Sequence, residues 1–270
     1  MAENGLKRGS VRWWLAVSLL AVLGLTFVGM GRWQLNRADE RRAIGAQIER
    51  GRMTAPVQIR PGMKTSDANP WQSAQATGHW LPQYTVLLDN RAQDGRPGLW
   101  LAMPLALADD TVLLVLRGWV PRPIAGQGEI AKMELPDGFV TIRGEIAEHV
   151  PRLYELQEDG PLQFDGSERL VESEITLDLM NLPRRQNLSL DDLSNALPGQ
   201  AVLPFVLTQT AEDDSILVDG RSLIRDWPQP SVDADKNMGY AMQWFMFASI
   251  AFGALVVLLW RTRRRATIAP

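Results

Sequence analysis

Residues Asn237 to Trp260 read NMGYAMQWFMFASIAFGALVVLLW, and the Arg-rich tail from Arg261 to Arg265 follows them. From Phe245 onward the stretch is mostly apolar, as expected of a bilayer-spanning helix of about 20 residues. Its first two turns differ, because they carry Asn237, Tyr240, Gln243 and Trp244. Polar and aromatic groups at a bilayer boundary serve either as interfacial anchors or as parts of a site.

A second apolar stretch lies at the other end of the chain. Met1 to Arg12 is polar and basic, and Trp13 to Met30 then runs for 18 residues without a charge. A secretory signal would have an apolar region of only about 7–15 residues, so the spacing predicts a retained first transmembrane helix. Lys7, Arg8 and Arg12 flank this helix, and Arg261, Arg263, Arg264 and Arg265 flank the second. Basic flanks favour the cytoplasmic side. Arg32, Arg37, Arg41 and Arg42 oppose that rule, but they lead into a long segment, and long domains translocate largely regardless of charge. The expected layout is a cytoplasmic N-terminus at 1–12, a span at 13–30, an extracytoplasmic domain at 31–239, a span at 240–260 and a cytoplasmic basic tail at 261–270.

Composition narrows the chemistry. The chain has 270 residues, a net charge of −3, no cysteine, and His79 and His149 as its two histidines. That excludes disulfides, thiolate chemistry and Cys-ligated metals. The mild acidity leaves no electrostatic footprint for nucleic acid. No G-x-S-x-G elbow accompanies either histidine.

Leu35 to Arg50, LNRADERRAIGAQIER, is rich in helix formers and should extend the first helix outward to Gly51. Strand patterns begin at Trp71. Tyr84 to Asp89, Gly98 to Leu107 and Thr111 to Val120 are β-rich, and Asp109-Asp110 marks a hairpin turn between the last two. Pro104 suggests an edge or a bulge there. Phe139 to Ala147 alternates as a half-buried strand, and Ala201 to Thr208 and Ser215 to Val218 add two more. Leu170 to Leu182 reads as containing a short helix. Ser189 should cap another that stops at Pro198, and Pro121 to Pro136 reads as a mobile loop. The count of six to eight strands predicts a mainly-β (α+β) barrel or sandwich between the two transmembrane helices.

The central domain offers no catalytic motif. His79 reads as a strand residue and His149 as a solvated loop residue. Asp89-Asn90-Arg91 falls at a turn, and Arg117 is expected to pair with Asp89 across the sheet. Gly126-Gln-Gly128 is too isolated to cradle a phosphate. A tethered hydrolase would have to rely on His79 or His149.

The membrane boundary offers more. Asn237, Tyr240 and Trp244 share helical spacing, with Gln243 beside them, and Trp33, Gln34 and Arg37 cluster on the first helix. Both groups lie at the outer ends of their helices. Ser249-x-x-x-Gly253 supplies a small-residue face for close approach. The combination describes a shallow aromatic site for a flat apolar ligand with an anionic edge. An aromatic belt with ordinary helix packing accounts for the same residues.

The residues resemble the Surfeit locus protein 1 family of cytochrome c oxidase assembly factors. The resemblance runs through Gly31-Arg-Trp-Gln-Leu-Asn-Arg, Gly78-His-Trp-Leu-Pro, Leu88-Asp-Asn-Arg with Gly95-Arg-Pro-Gly, and Pro104-Leu. It continues through Val115-Leu-Arg-Gly-Trp-Val-Pro and Gly239-Tyr-Ala-Met-Gln-Trp-Phe-Met-Phe-Ala248. It implies a two-span protein of the bacterial inner membrane with its central domain periplasmic, and it does not imply an enzyme. The implied role is assisting delivery or insertion of haem a into the oxidase's catalytic subunit, with that subunit and a haem a synthase as partners. A membrane-tethered periplasmic scaffold that binds no haem is the alternative. Joined to that role, the boundary residues Trp33, Gln34, Arg37, Asn237, Tyr240, Gln243 and Trp244 are the expected contacts for haem a or the oxidase subunit, and the resemblance accounts for Tyr240, Gln243 and Trp244 among them. The family's usual His-Leu stands here as Asn237-Met238.

Overall fold

The computed structural model describes residues 9–122, 132–154, 160–164, 176–211 and 222–267. Its contacts divide the chain into two units, Met1–Ala46 with Pro230–Pro270, and Gln47–Gln229.

The first unit is built on two helices, α1 (Val11–Met53) up to Ala46 and the last helix of the chain. Ser10 starts α1 by accepting the Trp13 amide on its hydroxyl at 3.3 Å. At 1.5 Å per residue the 43 residues of α1 extend about 65 Å. This is twice the thickness of a hydrocarbon core, and the helix ends two residues beyond the expected Gly51. No break occurs at Met30, where the apolar stretch stops. The expected strand at Ser215–Val218 and the glycines at 126–128 lie outside the described residues.

The second unit contains β1 (Val57–Gln58), β2 (Ser73–Trp80), β3 (Val86–Gln93), β4 (Arg96–Ala106), β5 (Thr111–Pro121), β6 (Lys132–Glu134) and β7 (Val140–Ala147). After them come β8 (Thr176–Asp178), β9 (Arg184–Arg185), the short helix α2 (Leu190–Ala196) and β10 (Ala201–Gln209). The chain closes with α3 (Asp235–Thr267) of the first unit.

Five of these strands form a closed ring, in the order β2-β7-β10-β5-β4 and back to β2. The β10–β5 pair is parallel and the other four are antiparallel. Numbered within the ring, the order is 1-4-5-3-2, the Greek-key barrel of the OB type. Closure depends on Gly78. There β2 leaves β7 (Gly78 opposite Val140) and joins β4 (His79 opposite Ala106). A Cβ at Gly78 would lie 2.2 Å from the Ala106 carbonyl oxygen, so only glycine lets the two backbones meet.

Period-2 patterning fills the barrel. Along β7 the burial alternates, with Val140, Ile142, Gly144 and Ile146 inward. β4 and β5 are buried on both faces, which is why they read as continuous apolar runs. Leu99, Leu101, Met103, Leu113, Val115 and Phe205 pack inside. Val86, Trp100, Leu114, Leu116 and Val206 form a second core outside, covered by Leu193 and Leu197 of the α2 region. Ser189 caps α2 by accepting the Asp192 amide at 3.0 Å, as its position in the sequence predicts.

Four expectations are corrected. Thr176–Asp178 is a strand that pairs with β6, so 176–178 is not helical and the 121–136 segment contains a strand at 132–134. Asp89 pairs with Arg122. Arg117 instead lies fully buried with its guanidinium 4.2 Å over the Trp80 ring, because its strand position faces the barrel interior. Pro104 sits inside β4, where the strand changes partner from β3 to β2; its carbonyl accepts from Leu81 at 3.0 Å, and the missing N–H faces the gap between the two partners. Gly253 faces open space, and the close approach occurs at Gly24 and Gly31 of α1.

Candidate functional site

The α1 and α3 segments of the first unit pack antiparallel. On α1 the buried or half-buried positions include Gly24, Phe27, Gly31, Gln34, Ala38, Arg41 and Gly45, spaced alternately by three and four. On α3 they include Met238, Ala241, Phe245, Ala248, Phe252, Leu255, Leu259 and Thr262 with the same spacing. This 3.5-residue period is the seam of a left-handed coiled coil. The two glycines are its holes. A Cβ at Gly24 would fall 2.7 Å from the Phe252 ring, and one at Gly31 2.8 Å from the Phe245 ring.

Polar groups enter the seam at its Asn237 end. The Asn237 Nδ2 donates to Gln34 Oε1 at 2.7 Å, and Asn237 is 9% exposed. Arg42 donates to the Met238 sulfur at 3.8 Å. Arg41 donates to the Asp233 carbonyl at 2.7 Å. Next to this polar layer, Phe27 stacks on Trp244 at 5.7 Å and Phe247 meets both rings.

The seven expected site residues therefore separate. Gln34 and Asn237 are joined, and Trp244 is half-buried in the aromatic cluster. Trp33 and Tyr240 are exposed, at 61% and 54%. Gln243 is exposed, and Arg37 is exposed while paired to Glu40 of its own helix at 2.7 Å. Asn237, Tyr240 and Trp244 do not form one face, because the seam passes through Ala241 and leaves Tyr240 on the outside. The aromatic partners Phe27 and Phe247 were not anticipated; counting apolar and small residues at alternate spacings of three and four would have found Phe27.

At the position of the family's usual histidine, Asn237 is a poor ligand for haem iron and is hydrogen-bonded to Gln34, and the adjacent Met238 thioether accepts from Arg42. What they form is a rigid helix pair with an exposed rim of Trp33, Arg37, Tyr240 and Gln243.

In the barrel unit, His79 stacks on Phe139 at 3.7 Å between ring centroids. His149 is exposed on the lining of a cleft of about 410 Å³. Arg91 is buried, lies 4.5 Å over the Trp100 ring, and donates to the carbonyls of Pro151 at 2.8 Å and Gln186 at 3.1 Å. Burial lowers its pKa from the ordinary guanidinium value to about 10.

These features define a class: a closed β-barrel domain flanked by two terminal helices long and apolar enough to cross a membrane, the helices packed as an antiparallel pair. The model of the SURF1 family matches residues 21–249, which include most of α1, the entire barrel and the first turns of α3, and the chain belongs to that family. It is similar to a SURF1-like protein of Rickettsia bellii (strain RML369-C), 29% identical over 97 residues, covering 35% of this chain and 39% of the relative. It is also similar to an uncharacterized SURF1-like protein of Mycobacterium bovis, 28% identical over 144 residues, covering 51% and 53%. The chain thus spans about half, or less, of the length of these relatives.

Proposed function

We propose that this chain is an assembly factor for a haem–copper cytochrome c oxidase. In this reading both helices cross the bacterial inner membrane, both termini are cytoplasmic and the barrel is periplasmic. The observation that carries the proposal is the family match, which extends from within α1 across the barrel and into α3. The helix surfaces support membrane insertion. Only 11% of each apolar window is buried, and Leu15, Leu19, Met242 and Ile250 are each more than half exposed. An apolar surface of that extent is suited to lipid and not to water.

The client is the catalytic subunit of the oxidase, with a haem a synthase as a second partner. The factor acts by contact and is not an enzyme. Trp33, Arg37, Tyr240 and Gln243 are the surface offered to the client, held in place by Gln34, Asn237 and Trp244. The chain assists haem a delivery or insertion by holding the subunit, not by ligating iron at position 237.

A deletion strain tests this directly. The expected result is less assembled oxidase and a lower ratio of haem a to copper in what remains. Normal levels with a normal ratio would defeat the proposal.

The second reading, a membrane-tethered scaffold that binds no haem, is favoured by the Asn237–Gln34 hydrogen bond. Purification from cells that make haem a separates the two. A Soret band that Tyr240→Ala with Trp244→Ala removes supports haem contact at the helix pair. No Soret band, with binding to the catalytic subunit retained, supports the scaffold.

A further inference from the structure

The cleft in the barrel unit has no part in the proposal above, and its construction points to a ligand of its own. Three indoles wall it. Trp100 and Trp227 meet edge to face at 5.1 Å, and Trp71 forms another wall. Leu116 and Ile146 give it an apolar floor. Its volume of about 410 Å³ falls in the range of small-molecule sites.

Trp71 is the informative residue. Its φ is 66°, in the left-handed region that bulky side chains avoid. The indole is half-buried, so deep core packing does not explain why a tryptophan occupies a position that glycine would take without strain. Strained backbone of this kind collects where a side chain must be presented to a ligand.

The charges on the lining decide what kind of ligand fits. Arg52 binds Glu145 through Nε at 2.8 Å and Nη2 at 3.2 Å, and binds Gln229 through Nη2 at 2.9 Å. Asp226 accepts from Gln93 at 3.0 Å. Arg225 donates to the Arg117 carbonyl at 3.0 Å. Glu148 stands exposed at the mouth. With two arginines against three carboxylates, the lining offers no excess positive charge to an anion. An organic cation finds no open aromatic cage either. Arg91 already covers the Trp100 face at 4.5 Å, and Arg52 lies 5.8 Å over Trp71. Donors on the lining include the hydroxyls of Thr208 and Thr210 and the Arg52 Nη1.

We propose that the cleft walled by Trp71, Trp100 and Trp227 binds a flat, uncharged, largely apolar small molecule that bears a carbonyl or hydroxyl oxygen. The rings stack its body, and the Thr208 and Thr210 hydroxyls or Arg52 Nη1 donate to its oxygen.

The test uses the full chain in nanodiscs with 15N-labelled indoles, titrated with four probes: 2-acetylnaphthalene, naphthalene, 2-naphthoate and 2-naphthyl-trimethylammonium. The expected result is saturable shifting of the Trp71, Trp100 and Trp227 signals by the ketone. Its Kd should be at least tenfold lower than those of the two charged probes and several-fold lower than that of naphthalene. Trp71→Gly should keep the fold, since glycine adopts φ 66° freely, and lose at least tenfold in affinity. Thr208→Val gives an independent reading, with weaker ketone binding and unchanged naphthalene binding. Charged probes binding as tightly as the ketone, shifts spread evenly over the ten tryptophans, or full affinity in both variants would each overturn the proposal.

Discussion

The carboxamide of Asn237 donates to the carboxamide oxygen of Gln34 at 2.7 Å, across the seam of two antiparallel helices. A polar pair inside a mostly apolar and small-residue seam fixes register, because any slip separates the partners. Removing one partner leaves the other buried and unsatisfied. Asn237→Leu or Gln34→Leu alone should cost about 1–3 kcal/mol, and the double variant should cost less than the sum of the singles. Thermal unfolding in detergent across the four proteins measures this; additive losses would show that the two side chains are not coupled.

The glycine holes make a second prediction. Gly31→Val places side-chain atoms within the Phe245 ring and should separate the helices or lower stability by about 1–3 kcal/mol. Phe245→Ala in the same chain should recover part of the loss. Cysteine pairs introduced across the seam report the separation as reduced cross-linking. Unchanged cross-linking in Gly31→Val would mean that the seam does not run through Gly31.

Gly78 is the closure point of the barrel. Gly78→Ala puts a methyl group 2.2 Å from the Ala106 carbonyl oxygen, and backbone cannot move aside as a flexible side chain can. The expected cost is about 3 kcal/mol or more, in the range reserved for core overpacking and backbone strain. Chemical denaturation of the barrel, followed by tryptophan fluorescence, measures it.

Arg91 sets an expectation for pH. Its folded pKa of about 10 lies below the ordinary value of an unfolded guanidinium because burial disfavours the charged form. Between those values the unfolded chain binds more protons, so stability rises with pH there, and the cost of burying the charge is fully present below about 10. From pH 5 to 9 this group should therefore add no slope to stability. Arg91→Met leaves the Pro151 and Gln186 carbonyls without their donor and should cost about 2–3 kcal/mol. The difference between wild type and variant should be the same at pH 6 and pH 9.

The β4–β5 turn can be improved. Asp109 and Asp110 both adopt positive φ, 54° and 51°. That is the pattern of the two-residue type I′ turn, which favours Asn-Gly. Asp109→Asn with Asp110→Gly should raise stability by about 0.5–1 kcal/mol. An unchanged or lower midpoint of denaturation would show that the acidic pair serves contacts other than the turn.

Much of the fold is legible in the sequence. The β4–β5 hairpin, the alternating β7 and the Ser189 cap each follow from a local signal: a run length, a period of two, a side chain that accepts from an amide two or three residues on. The family motifs in the barrel also turn out to have physical reasons. Gly78-His-Trp80 is the bend that closes the ring, with Trp80 under Arg117. Leu88-Asp-Asn-Arg91 is an irregularity in the β3–β4 pairing that turns Arg91 inward. Pairing across sequence distance was not legible. Asp89 chose Arg122 over Arg117 because a side chain's face depends on strand register, which no local pattern states.

The same division holds for the opening stretch. By itself the sequence determined that Asn237 to Trp260 is helical and apolar enough to span a bilayer, since composition and length suffice for that. The tertiary structure decided which of its polar residues point where. Asn237 turns inward to Gln34, Trp244 joins Phe27 and Phe247, and Tyr240 and Gln243 remain outside. The reason is the partner helix: the seam with it runs through Met238, Ala241, Phe245 and Ala248, and Tyr240 lies about 60° round the helix from Asn237, on the side away from that seam.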